Sequence, residues 1–206
     1  MAEYTPLAPG CPPGSHASPP STGREAVNGE RIKQMDYPSA PEDVRRAHDE
    51  HTRRAGITNM KRTLLRSLPA FQALMTWYDL RDAVLPFLGE RPTLLFAHAV
   101  SSETDCLICS TYFRRALVQA GHDLDRLELT AEEADLVQFG RSLGRSPFRV
   151  PEEEFQPLAA RYTQEELVAL TAFGALMVAT NVVNNALQVP LDGYLEPYRA
   201  VGGSHG

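Results

Sequence analysis

From Pro41 onward, apolar residues return every three or four positions, with polar residues filling the steps between them. That period puts the apolar positions on one face of a helix. Pro41, Glu42 and Asp43 open a first predicted helix, and Gly56 closes it. The run from Glu42 to Arg54 is charged enough to read as a solvated face, with His48 and His51 as surface residues on it. Thr58 is placed to cap a short helix carrying Met60, Leu64 and Leu65. Ser67, Leu68 and Pro69 open the next, where Phe71, Leu74, Trp77 and Tyr78 fall at helical spacing and read as core. Pro86 and Gly89 punctuate the chain before Pro92 starts a helix with Leu94, Leu95, His98 and Val100. A further helix follows and ends at Gly121.

Thr130 and Glu133 form one capping box, and Thr163 and Glu166 form a second. Between them, Pro151 and three glutamates open a helix with negative charge in its first turn. The helix after Thr163 is apolar nearly all round as far as Thr180, which predicts a central buried helix stopped by Pro190. No strand alternation and no internal repeat stands out, so the predicted fold class is all-α.

Ahead of Pro41 the pattern is different. Pro6, Pro9, Pro12, Pro13, Pro19, Pro20 and Pro38, interleaved with Gly and Ser, predict a tail over residues 1–40 that builds no core of its own. If ordered, it should lie along this subunit or a neighbour. The helical domain is expected over 41–198, with a flexible C-terminal tail over 199–206. The chain has 206 residues, 43% of them hydrophobic, and a net charge of −6 with both signs mixed along it. That excludes a basic nucleic-acid face. The apolar run from Leu167 to Thr180 is too short to span a bilayer, so no membrane partner is expected. No charged-then-apolar signal segment begins the chain, and three cysteines are too few for a disulfide scaffold, so the expected location is the cytoplasm.

Two of those cysteines change the picture. Cys106 and Cys109 form a Cys-x-x-Cys pair at the predicted start of a helix, with Thr104 or Asp105 as its cap. One turn apart on one face, they are close enough to form a disulfide. The unpaired N–H groups and dipole of a helix start stabilise a thiolate, the nucleophile of thiol–disulfide and peroxide chemistry. The pair has two other readings, half of a zinc site or two inert core thiols. Zinc wants about four ligands, yet the remaining cysteine, Cys11, lies in the Pro-rich segment and no His pair follows, so neither a metal nor another cofactor is expected.

The sequence resembles the carboxymuconolactone decarboxylase and alkylhydroperoxidase D-like family, in its peroxidase-related branch. The likeness spans about Ile57 to Leu195. It rests on Ile57 to Met60, Tyr78 to Leu88, the helix ending at Val100 and Ser101 before the cysteine pair, Leu129 to Glu133, Phe148 with Val150, and Asn181 to Asp192. The resemblance implies an oligomeric all-α alkylhydroperoxidase D-like fold, as a dimer, trimer or hexamer of itself. In its thiol members the second cysteine attacks a hydroperoxide and the first resolves it, which carries over to Cys109 and Cys106. The family's relay residues do not carry over. The Glu twelve residues before the first cysteine is Leu94 here, the His four after the second is Phe113, and the His just before the second is Ile108.

His98 offers a replacement base. It lies one helical turn beyond Leu94 on the same face, and an unperturbed imidazole titrates near ~6.5. It reads equally as a buried core histidine. Leu94, Glu103 and Phe113 are the candidate cleft residues. The function expected is a thiol-dependent reductase of small organic hydroperoxides, an antioxidant peroxidase restored by an external dithiol of unknown identity. Two alternatives stay open: a non-catalytic oligomeric member with a structural or switching cysteine pair, and a lactone decarboxylase-type enzyme.

Overall fold

The computed structural model describes residues 29–200, and every regular element within them is helical. Positions 1–28, Cys11 among them, and 201–206 lie outside the described residues, so most of the predicted N-terminal tail does too. The helices are α1 (Glu42–Thr52), α2 (Asn59–Leu64), α3 (Leu68–Met75), α4 (Trp77–Leu88), α5 (Glu90–Glu103), α6 (Leu107–Gln119), α7 (Ala131–Gly144), α8 (Glu152–Ala159) and α9 (Gln164–Leu187). A last 3-10 turn, Gly193–Tyr198, packs on α6. Both capping boxes are formed: Thr130 and Thr163 each accept the N–H of the glutamate three residues on, whose carboxylate accepts theirs.

The core is built around α5, which touches α4, α6, α7 and α9. Its buried face carries Phe96, Ala97 and Val100, and the Phe96 ring is stacked against Phe139 of α7 and Phe173 of α9, 6.0 and 5.9 Å away. α7 comes this close because Gly144 has no side chain. A Cβ there would stand 3.0 Å from the Val100 carbonyl oxygen and 2.9 Å from Glu103 Cβ.

A second, smaller core joins α1, α2 and α3 through Val44, Leu64, Leu65 and Phe71. Met35 and Ala40 belong to it, so packing reaches back ahead of Pro41, along this chain's own helices. The Met35 N–H donates to Arg62 O at 3.0 Å, and the Arg31 N–H donates to Leu187 O at the end of α9 at 3.1 Å.

Three expectations are corrected. His51 is buried, edge-on to Phe71 and Tyr78 at 5.4 Å each, because α1 offers little else apolar on that face and the ring fills the gap. Its pKa is pushed down to about 4 by burial and by the Lys61 charge. The aromatic stripe of Phe71, Leu74, Trp77 and Tyr78 is split at Thr76, whose hydroxyl turns back onto Ala73 O at 2.6 Å. Phe71 stays in the small core, Trp77 packs on the main one, and Tyr78 lies between His51 and Lys61. Finally, α9 is buried on one face only. Leu167, Leu170, Phe173 and Met177 enter the core, while Val168, Ala175, Ala179 and Val182 are exposed. At 24 residues α9 is long and apolar enough to cross a membrane by length and composition alone, yet here its apolar side forms core.

Candidate active site

The site grows out of the break between α5 and α6. The Thr104 hydroxyl donates to Val100 O at 3.0 Å and closes α5. Asp105 then takes a left-handed conformation, φ 51°, and turns the chain. Extended backbone follows at Cys106, which therefore occupies the N-cap position of α6 in place of Thr104 or Asp105. Cys109 is the third residue of the helix. Both thiols are free and buried.

α9 clamps this junction with three asparagines. Asn181 Nδ2 donates to Thr104 Oγ1 at 2.7 Å, and Asn185 Nδ2 to Thr104 O at 2.9 Å. Between them, Asn184 Nδ2 donates to both sulfurs, at 3.3 Å to Cys109 and 3.7 Å to Cys106.

Acidity and access fall on different members of the pair. Cys106 is wholly enclosed, and its pKa is lowered to about 7. The Cys109 thiol donating to it is the main cause; the Cys109 and Ile108 N–H groups of the helix start and the Asn184 amide add to this, while burial opposes. The Cys109 thiol is pushed up, first because it is the donor to Cys106 and then by burial. When the pair loses its first proton, the charge thus rests on Cys106, with the remaining proton on Cys109. Only Cys109 reaches the neighbouring cavity.

That cavity measures about 450 Å³. Ile108, Cys109, Phe113, Met177 and Trp77 give it an apolar floor, and the Trp77 ring lies 6.2 Å from Phe113 and 5.4 Å from Phe173. Part of the lining is polar. Lys61 Nζ, from α2, donates to Gly56 O at 2.6 Å and to Tyr78 Oη at 2.8 Å. Lys61 is 5% exposed, and burial pulls its pKa down to about 8 against the attraction of Asp192. Tyr78 is pushed up to about 12, chiefly by burial. Asp192 accepts the Asn59 N–H through Oδ1 at 2.9 Å; its Oδ2 is buried with no partner among the described residues. Burial raises its pKa.

The residues singled out from sequence are only partly brought together. Cys109, Phe113 and Ile108 line the cavity, with Cys106 directly behind. His98 does not line it. Burial, with the Arg114 and Arg141 charges of α6 and α7, holds its pKa down at about 4. Leu94 packs into the main core, and Glu103 is ion-paired with Arg145 at 2.9 Å; neither lines the cavity. Asn184, Lys61, Tyr78 and Asp192 were not singled out for this site. The only sequence signal for Asn184 was a set of asparagines on an otherwise apolar helix. Among the described residues no cluster of three or more His, Cys, Asp or Glu gathers to hold a metal.

No family model and no curated protein matches this sequence. Solved structures do match its fold. One is the alkylhydroperoxidase AhpD core of an uncharacterized peroxidase-related protein from Ralstonia eutropha JMP134, with a TM-score of 0.64 and 18% identity over 81% of this chain and 94% of that one. Another is the debrominase Bmp8, as a cysteine-to-alanine variant in complex with 2,3,4-tribromopyrrole, with a TM-score of 0.66 and 17% identity over 81% and 94%. Bmp8 in its apo form gives a TM-score of 0.63 and 19% identity over 81% and 95%. The chain has the all-α alkylhydroperoxidase D-like fold.

Proposed function

On that alkylhydroperoxidase D-like fold, we propose that this protein is a thiol-dependent reductase of small organic hydroperoxides. Cys109 is the attacking residue and Cys106 the resolving one. The observation that carries the reading is the division of labour in the pair: Cys109 opens onto an apolar-floored cavity while its more acidic partner is hydrogen-bonded to it from behind. The peroxidase-related structural neighbour supports the same reaction class.

The pair supplies its own base. Cys106, as thiolate, takes the proton of Cys109, which removes the need for the relay residues replaced by Leu94, Ile108 and Phe113. The Cys109 thiolate attacks the terminal oxygen of R–O–O–H, and the O–O bond breaks. This leaves Cys109 as a sulfenic acid and releases an alkoxide, which leaves as the alcohol after taking the proton from Cys106. The Cys106 thiolate then attacks the Cys109 sulfur, expelling hydroxide and forming the disulfide. An external dithiol reduces that disulfide by exchange. His98 takes no part in this scheme.

The experiment is consumption of cumene hydroperoxide with dithiothreitol as reductant. Unaltered protein should turn over. Cys109→Ser should be inactive, and Cys106→Ser, which loses both base and resolving thiol, should react slowly and, without dithiothreitol, only once, stopping at the sulfenic acid. Oxidation of the pair without sustained turnover would favour a redox switch instead, and loss of no activity in Cys109→Ser would end the proposal.

A further inference from the structure

The polar part of the cavity lining holds a buried cation, Lys61, that feels Asp192 but makes no direct ion pair. Lys61 has three N–H groups; two go to Gly56 O and Tyr78 Oη, and no carboxylate lies within ion-pair distance among the described residues. A buried ammonium in that position is costly unless an anion meets it. Tyr78 accepts from Lys61, so its own hydroxyl hydrogen is directed elsewhere, and both residues line the cavity. The cavity's charged lining consists of Lys61, Arg115 and Asp192, two cations against one anion in a chain whose net charge is −6. The flat indole of Trp77, edge-on to Tyr78 at 5.0 Å, also lines the cavity, with Phe113 and the Cys109 thiol.

We propose that the cavity seats a small aromatic carboxylate, its charged oxygens on Lys61 Nζ and Tyr78 Oη and its ring against Trp77 beside Cys109. The inference rests on the cavity being the substrate site, and it makes that substrate a hydroperoxide whose aromatic part carries a carboxylate rather than a neutral one. A carboxylate supplies Lys61 with its missing partner and accepts the Tyr78 hydrogen, both charge-assisted bonds in a site sheltered from water.

The test is binding, so it is independent of turnover. Trp77 is the only tryptophan of the chain, and its fluorescence reports the cavity directly. Titration with 4-nitrobenzoate and, separately, with the isosteric 4-nitrobenzamide, checked by calorimetry, should show the acid binding at least about tenfold more tightly, a difference of about 1.4 kcal/mol. Lys61→Met should lose the preference for the acid, whereas Arg46→Gln, an exposed arginine outside the cavity, should keep it. Equal binding of acid and amide, or no binding of either, overturns the proposal in the unaltered protein, whether or not Lys61→Met folds. A preference that survives Lys61→Met, or disappears in Arg46→Gln, also overturns it.

Discussion

Removing the Asn184 amide should raise the pH at which the cysteine pair loses its first proton. Nδ2 donates to both sulfurs, at 3.3 and 3.7 Å, and the whole residue is buried. A hydrogen bond to a charged group contributes about 1.5–3 kcal/mol, and one pKa unit corresponds to about 1.4 kcal/mol. Asn184→Ala should therefore move the first thiol pKa from about 7 up by roughly one to two units. At pH 7 the thiolate fraction would fall from about a half to between about a tenth and a hundredth, a loss of roughly 5- to 50-fold. The more basic thiolate is also the better nucleophile, so the net loss in rate shrinks to about 2- to 6-fold. The midpoint of the pH profile is thus the sharper readout. Iodoacetamide alkylation of the reduced protein, followed across pH, gives it directly. Asn184→Asp should shift the midpoint further, since it removes the donor and adds a like charge. A midpoint in Asn184→Ala within a few tenths of the unaltered one would refute the assignment of the amide as thiolate donor.

Gly144→Ala should destabilise by about 1–2 kcal/mol, because overpacking against the Val100 carbonyl outweighs the gain in helix propensity. Gly56→Ala, where nothing lies within 4 Å, should be near neutral in the same denaturant titration. His98 titrates near 4 in the folded protein against about 6.5 unfolded, so the unfolded state binds more protons between those values. The stability tied to its neutral ring is present above about 6.5 and lost as pH falls toward 4, by at most about 3 kcal/mol. Unfolding midpoints of His98→Gln should consequently depend less steeply on pH in that window, with His51 retaining its own share. The protein is also expected to be a homo-oligomer through the open face of α9, where Val168 and Val182 are 70% and 55% exposed. Light scattering at micromolar concentration should give a multiple of the chain mass that Val182→Glu reduces, and a single-chain mass for the unaltered protein would count against it.

Much of the helical framework was legible because its signals are local. Thr130 with Glu133 and Thr163 with Glu166 mark helix starts within four residues, and the cysteine spacing places the pair at one helix start, Cys106 as its N-cap and Cys109 in its first turn. What was not legible depends on residues brought together across the fold. Asn184 meets Cys109 across 75 positions, and nothing near either residue announces the pairing. Lys61 stands beside Arg62 in a short helix and reads as an ordinary surface cation; only the packing of Tyr78 over it buries it. His98 shows the reverse error. It shares a helical face with Leu94, but that face turns toward Arg114 and Arg141 rather than the cavity. Helical periodicity identifies a face without saying which neighbour the face meets.

The asparagine clamp bears on how long an oxidised cysteine survives. Asn181 and Asn185 grip Thr104 directly, and neither bond depends on the state of sulfur. When Cys109 becomes a sulfenic acid, the junction is therefore held in place and Cys106 remains in contact. A nucleophile held in this way acts at an effective molarity far above that of any free thiol or second peroxide molecule, values that reach about 10⁵ M or more in well-oriented pairs. Ring closure should outrun a second oxidation. The sulfinic acid, which thiol reductants do not reverse, should then accumulate only at peroxide concentrations well beyond those that drive turnover.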